Sequence, residues 1–214
     1  MAQHPHMPPN TYEDETLDGR SFALARLLSQ IFHPILLNIA SFLIVGYASQ
    51  STRGAGLMWA GMCILAVVLP LTLFYYIRLR QGAYADEDIS VREQRHELYL
   101  FGFTWALIAT PILGWLGMPR PFLALLICGL ALGLINGVIN LFWKISAHAT
   151  AIASTATIAL LYWQPLGIVL WVCALVVGWA RVRTRNHTPT QVLAGYCSAV
   201  AIILVVFNLL GVRG

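Results

Sequence analysis

Charge is what this sequence has least of. Asp, Glu, Lys and Arg make up 10% of its 214 residues, where a soluble domain carries about 25%. The shortage runs over most of the chain, beside 58% hydrophobic residues and a mean hydropathy of +0.72. That excludes an ordinary soluble globule and implies an integral membrane protein. The basic excess is small as well. A net charge of +4 is too little to argue for nucleic acid, and the basic residues lack the aromatic interleaving that a strand-binding groove needs. Paired cysteine spacing is absent: Cys63, Cys128, Cys173 and Cys197 all lie within apolar runs and none forms C-x-x-C. This argues against zinc and a disulfide framework, and for small packing residues inside helices. The start of the chain has no basic stretch followed by an apolar core, so it does not read as a signal peptide. No internal repeat is present.

What the chain does have is long apolar runs. Residues 1–20 are polar and rich in proline and acid, and read as a disordered tail. Residues 21–214 then read as one membrane-embedded helical domain, an all-α bundle of six to seven transmembrane helices. Seven apolar segments lie near 27–48, 57–78, 99–117, 121–142, 148–163, 166–180 and 190–211. A spanning helix needs about 20 apolar residues. The fifth and sixth segments are shorter, so they are expected to tilt little, thin the bilayer or extend into polar turns. His33-Pro34 interrupts the first segment and predicts a kink, with His33 a helix-face residue near the interface rather than a ligand.

The remaining charge is clustered. Residues 79–98 hold five of the nine acids (Asp86, Glu87, Asp88, Glu93, Glu97) and four arginines. Lys144, Ser146 and His148 sit at the entrance of an apolar hairpin; Arg181, Arg183, Arg185 and His187 sit at its exit. The loop follows two crossings, the Lys144 cluster four and the Arg181 cluster six. Every count is even, so all three clusters are expected on the N-terminal side of the bilayer. Arg92 and Arg95, three apart, are expected on one helical face with two guanidinium forks for a common target; a solvated interfacial loop is the alternative. Arginines, a lysine, a hydroxyl and two imidazoles converging at a membrane surface suit an anion, above all phosphate.

These residues resemble the type 2 phosphatidic acid phosphatase superfamily, which also includes vanadium haloperoxidases. The family pattern is K-x6-R-P, then P-S-G-H, then S-R-x5-H-x3-D. The third part is matched by Arg181, His187 and Gln191, followed by V-L-A-G ending at Gly195. The second is matched by Ser146-Ala147-His148, with Ile145 for proline and Ala147 for glycine. The first is matched at Arg95, with Asp88 at the lysine position, His96 at the proline, and Arg92 able to supply the missing positive charge. The motif-bearing region is 88–195. The resemblance implies a lipid phosphatase in which His187 is the nucleophile, giving a phosphohistidine, and His148 protonates the leaving group. Arg92, Arg95, Ser146, Arg181 and Lys144 would bind the substrate phosphate, with no cofactor and no metal. The expected partners are a lipid phosphate and the bilayer.

The residues support the same chemistry without the family. Phosphoryl transfer needs dispersed positive charge, an in-line nucleophile and a proton donor. Imidazoles titrate near neutral pH and suit the last two roles, and backbone N–H groups at a helix start add donors. Gln191 has two readings. It orients the His187 imidazole in place of the family's Asp, or it closes a T-P-T-Q capping box with Thr188 as N-cap. Two further functions stay open: a phosphate-lipid binding or transport protein without turnover, and a structural membrane protein whose basic loops only set orientation. Phosphatidate, phosphatidylglycerophosphate and isoprenoid mono- or diphosphates all qualify as substrates. The lean is to isoprenoid diphosphates, because nothing in the sequence reads a glycerol headgroup. Ten of the thirteen basic residues fall on the N-terminal side, all but Arg53, Arg120 and Arg213, so the positive-inside rule places the active face in the cytoplasm.

Overall fold

A computed structural model describes residues 15–212. Most of the expected tail, residues 1–14, lies outside the described residues. The tail boundary moves, however: helix α1 (Glu15–Ile31) begins before residue 20. The described residues are otherwise helices and short turns, without a strand. They are α2 (Pro34–Ala48), α3 (Arg53–Cys63), a π-helical turn (Ile64–Val68), α4 (Leu69–Arg80), α5 (Arg95–Trp115), α6 (Arg120–Phe142), α7 (Ala147–Tyr162), α8 (Gln164–Arg183) and α9 (Pro189–Leu209).

The first apolar segment is broken rather than kinked. Proline at 34 cannot donate its backbone N–H, so helix α1 stops and α2 restarts at an angle of 43°. His33 caps the restart, its Nδ1 accepting from the Ile35 N–H at 3.3 Å. The second segment is continuous from Arg53 to Arg80, with the π turn just before Pro70.

Five helices are long and apolar enough to cross a membrane, and the bent α1–α2 pair makes a sixth. The chain is a polytopic helical bundle of a multi-pass membrane protein. Its outside is apolar: Leu100, Leu107, Val169, Val172 and Leu175 are all more than half exposed. Aromatic side chains project at the helix ends, with Phe142 and Trp143 at one face and Trp115 and Trp163 at the other, as interfacial belts do. Its inside holds the polar residues, among them Asn136, Asn140, Thr150, Thr155 and Arg181.

Helix α7 is the axis of the bundle. It packs on α8, α9 and α2, and its residues from His148 to Ala159 are almost all buried. Sixteen residues rise about 24 Å, short of a hydrocarbon core of about 30 Å. Neighbouring helices enclose the short helix, and protein covers its flanks. The sixth segment grows to 20 residues in α8 by extending into the polar turns at both ends. The four cysteines are free, Cys63 and Cys128 within the core.

Candidate anion site at the polar face of the bundle

The three charged clusters meet at one end of the bundle. Arg181 on α8 reaches Asp88 in the 81–94 loop. Arg95, at the first position of α5, reaches the Ile145 carbonyl. Lys144 Nζ donates to the Asn186 carbonyl at 2.7 Å. Each contact joins segments separated by membrane-crossing helices, so the even-numbered connections share a face.

Arg181 is the centre. Its side chain is fully buried, in the last turn of α8. Nη1 donates to both oxygens of Asp88, at 3.0 and 3.1 Å. Nε and Nη2, which form the other edge of the guanidinium, make no hydrogen bond within the protein. That edge is the fork that takes two oxygens of a phosphate or carboxylate at once. His148, in the first turn of α7, is also buried with Nε2 unbonded; the nearest carboxylate oxygen, Asp88 Oδ1, is 3.9 Å away. A buried donor without a partner costs about 1–3 kcal/mol, so three such nitrogens in one place mark a site built for a ligand.

Gln191 serves both of its expected roles through one atom. Its Oε1 accepts from the Thr188 N–H at 3.2 Å, while its N–H bonds back to Thr188 Oγ1 at 3.3 Å, completing the capping box. The same Oε1 lies 3.2 Å from His187 Nδ1. Because a backbone N–H must meet an acceptor, the amide oxygen faces Thr188. His187 must then donate to that oxygen, so its proton is on Nδ1 and its lone pair is on Nε2. Burial, with Arg95, Lys144 and Arg181 nearby, lowers the His187 pKa to about 2. The ring is therefore neutral at physiological pH.

The other expected phosphate ligands divide. Arg95 is buried, but its guanidinium is occupied by backbone: Nε donates to the Ile89 carbonyl at 2.7 Å, Nη1 to Ile145 at 3.0 Å and Nη2 to Asp88 at 3.3 Å. It staples the loop to the start of α7 and contributes charge rather than a fork. Arg92 does not join the cluster. Helix α5 starts at Arg95, so the two arginines share no helical face, and Arg92 pairs with Glu93 and donates to the Leu141 carbonyl. Ser146 is the N-cap of α7, its Oγ accepting from the Ala149 N–H at 3.3 Å. Lys144 is half-buried; burial first, then Arg95 and Arg181, lowers its pKa to about 8. Gly195 lets α9 approach this corner: a Cβ there would stand 2.9 Å from the Ser146 carbonyl oxygen.

Three more residues stand in the site: Asp88, which the motif match put at the lysine position, and His33 and Asn186, which sequence reasoning did not place there. Asp88 holds Arg181 and also accepts from Asn186 Nδ2 at 2.9 Å. It sits beside Ile89, whose φ of 47° is unfavourable for a β-branched residue and marks a loop held by its surroundings. Asn186 was readable only as a neighbour of His187. His33, brought in by the α1–α2 break, packs edge-to-face on His148 at 5.7 Å between ring centroids. His33, Asp88 and Asn186 also line a cavity of about 810 Å3 that opens the site outward.

No family model, curated protein or solved structure matches this chain.

Proposed function

We propose that this protein is a membrane-embedded lipid phosphatase that removes phosphate from a lipid phosphate or diphosphate through a phosphohistidine. The observation that carries this reading is the unbonded Nε/Nη2 edge of buried Arg181, beside His148 Nε2 and the lone pair of His187. In the reaction, Arg181 takes two phosphoryl oxygens and His187 Nε2 attacks phosphorus in line. The bond from phosphorus to the lipid oxygen breaks, and His148, protonated once the anionic substrate is bound, gives that proton to the leaving oxygen. Water then attacks the phosphohistidine, releasing phosphate and restoring both histidines. Arg95 and Lys144 stabilise the charge on the transferring group from a distance. By its resemblance the chemistry needs no metal ion or cofactor. The bundle's polar face would be cytoplasmic, from the basic residues gathered there.

The test is phosphate release by purified protein from a panel of lipid phosphates. His187→Ala should abolish release while the protein keeps its melting behaviour, and orthovanadate should inhibit the wild type. Arg181→Lys keeps the charge but loses the fork and should slow release about a hundredfold. Full activity in His187→Ala would remove the nucleophile assignment.

One observation favours a second reading, a phosphate-lipid binding or transport protein without turnover. Asp88 places a carboxylate on Arg181 where the family pattern has lysine, and Gln191 gives His187 a neutral partner where the pattern has Asp. Lipid phosphates would then raise the melting temperature without any phosphate release.

A further inference from the structure

Below the anion site the bundle encloses a second cavity of about 300 Å3, bordered by α2, the π turn, α4, α5, α6 and α7. It begins at Pro34 and Ala147, the sequence neighbours of His33 and His148, and shares Ile35 and Thr72 with the outer cavity. Two glycines on α6, Gly129 and Gly133, leave open space in front of them where a Cβ would meet nothing within 4 Å. At about 30 Å3 per water-sized group, the space accommodates about ten chain atoms. It is a largely apolar slot that shares a wall with the outer cavity.

The slot is not uniformly apolar. Asn136 lines it, is 4% exposed, and its Oδ1 accepts no hydrogen bond. The orientation of that amide is fixed by a relay. Thr150 Oγ1 donates to the Ser146 carbonyl at 3.0 Å, so it can only accept from Asn136, whose Nδ2 lies 3.3 Å away. The oxygen is therefore the unmatched atom. Ser154 Oγ, on the same wall, is buried and unbonded as well. Asn136 lies six residues before the end of α6 and Ser154 seven after the start of α7, so both are about 10 Å below the polar face. Neutral polar side chains at that depth ordinarily bond to a neighbouring helix, and these two atoms do not.

We infer that this slot binds the hydrocarbon chain of the lipid phosphate, and that Asn136 and Ser154 select a lipid carrying a hydrogen-bond donor, a hydroxyl or amide N–H, a few bonds from its phosphate. The inference rests on the anion-site reading for the position of the phosphate. A plain isoprenoid or alkyl phosphate fills the slot but leaves the Asn136 acceptor unmatched, and a buried acceptor left without its donor is penalised in binding.

The test compares two lipid phosphates with one unsaturated chain each: 1-oleoylglycerol 3-phosphate, with a free hydroxyl, and oleyl phosphate, without one. Binding to the full-length His187→Ala protein in detergent is read from ligand-dependent melting, so neither lipid is consumed. The hydroxylated lipid should bind about tenfold more tightly. Asn136→Leu, of similar volume, should abolish the difference without weakening oleyl phosphate, and Ser154→Ala should reduce it. Equal affinity of the two lipids for the parent protein overturns the inference, as does a preference that survives both substitutions, or binding of neither lipid. Arg181→Lys should weaken both lipids alike. If it weakens neither while the preference persists, the anion-site reading fails and the chain slot stands.

Discussion

At the residue scale, the oxygen of Gln191 ties the proposed catalytic role of His187 to helix capping. It receives the Thr188 N–H and the His187 Nδ1–H together, so Gln191→Ala cannot separate the two roles. Thr188→Ala can. Losing the Thr188 hydroxyl removes one cap bond and should cost about 1 kcal/mol of stability, with the rate per folded molecule unchanged. Gln191→Ala should lower the melting temperature by a similar amount and also reduce turnover strongly, because His187 loses the acceptor that fixes its tautomer. Gln191→Asp, which restores a carboxylate, should keep or raise turnover. Phosphate release and thermal melting on the three variants decide this. His187 also predicts a pH dependence. Burial takes its pKa from the ordinary 6.5 down to about 2 on folding. Below 6.5 the unfolded chain takes up a proton that the folded site refuses, so stability is constant above that pH and falls as pH drops through it. Between pH 7 and 5 the melting temperature of wild type should fall more steeply than that of His187→Gln, which has nothing to protonate.

At the element scale, what the sequence made legible was apolar length. The runs placed α3 to α9 within a few residues and merged the end of α1 with α2, and counting passes put the three charged connections on one face. What hydropathy does not carry is where a helix starts inside a polar stretch. Arg92 and Arg95 looked like partners because their spacing suits one helical face, whereas the helix begins only at Arg95. Nor does composition reveal which charges are engaged. Asp88 sits in a run of acids that reads as solvated, and only the fold brings Arg181, 93 residues away, against it. His33 was hidden because a histidine before a proline reads as a kink, and the bend that aims it at His148 is a tertiary fact. Helix contacts give a further prediction. Helices α2 and α3 cross so closely that a Cβ at Gly56 would stand 1.8 Å from the Gly46 carbonyl oxygen, whereas one at Gly54 would meet nothing within 4 Å. Gly56→Ala must push two backbones apart and should lower the melting temperature by several degrees. Gly54→Ala should leave it unchanged or slightly higher.

At the scale of the whole molecule, orientation follows from the same gathering of charge that builds the site. Among the described residues, ten of twelve basic side chains belong to segments at the polar end, against Arg53 and Arg120. Retention of that face in the cytoplasm is the expected topology. In a background free of the four native cysteines, a single cysteine at position 53 should react with an impermeant reagent in intact cells, and one at position 85 should not. The reverse pattern would place the chemistry outside.

The long reach of the Arg181–Asp88 pair also sets a timetable for biogenesis. A ribosome adds roughly 5–20 residues per second, so about 5–20 s pass between the making of Asp88 and of Arg181. Throughout that interval the carboxylate has no guanidinium, and for about half of it Arg95 lacks the Ile145 carbonyl, 50 residues downstream. The half-made loop can only wait in water, at the surface of the bilayer, while later hairpins insert beside it. A nascent chain halted before α8 would be inserted, folded in part and inert towards phosphate, and activity would arise in a single late step, when the last hairpin delivers Arg181 and His187 together.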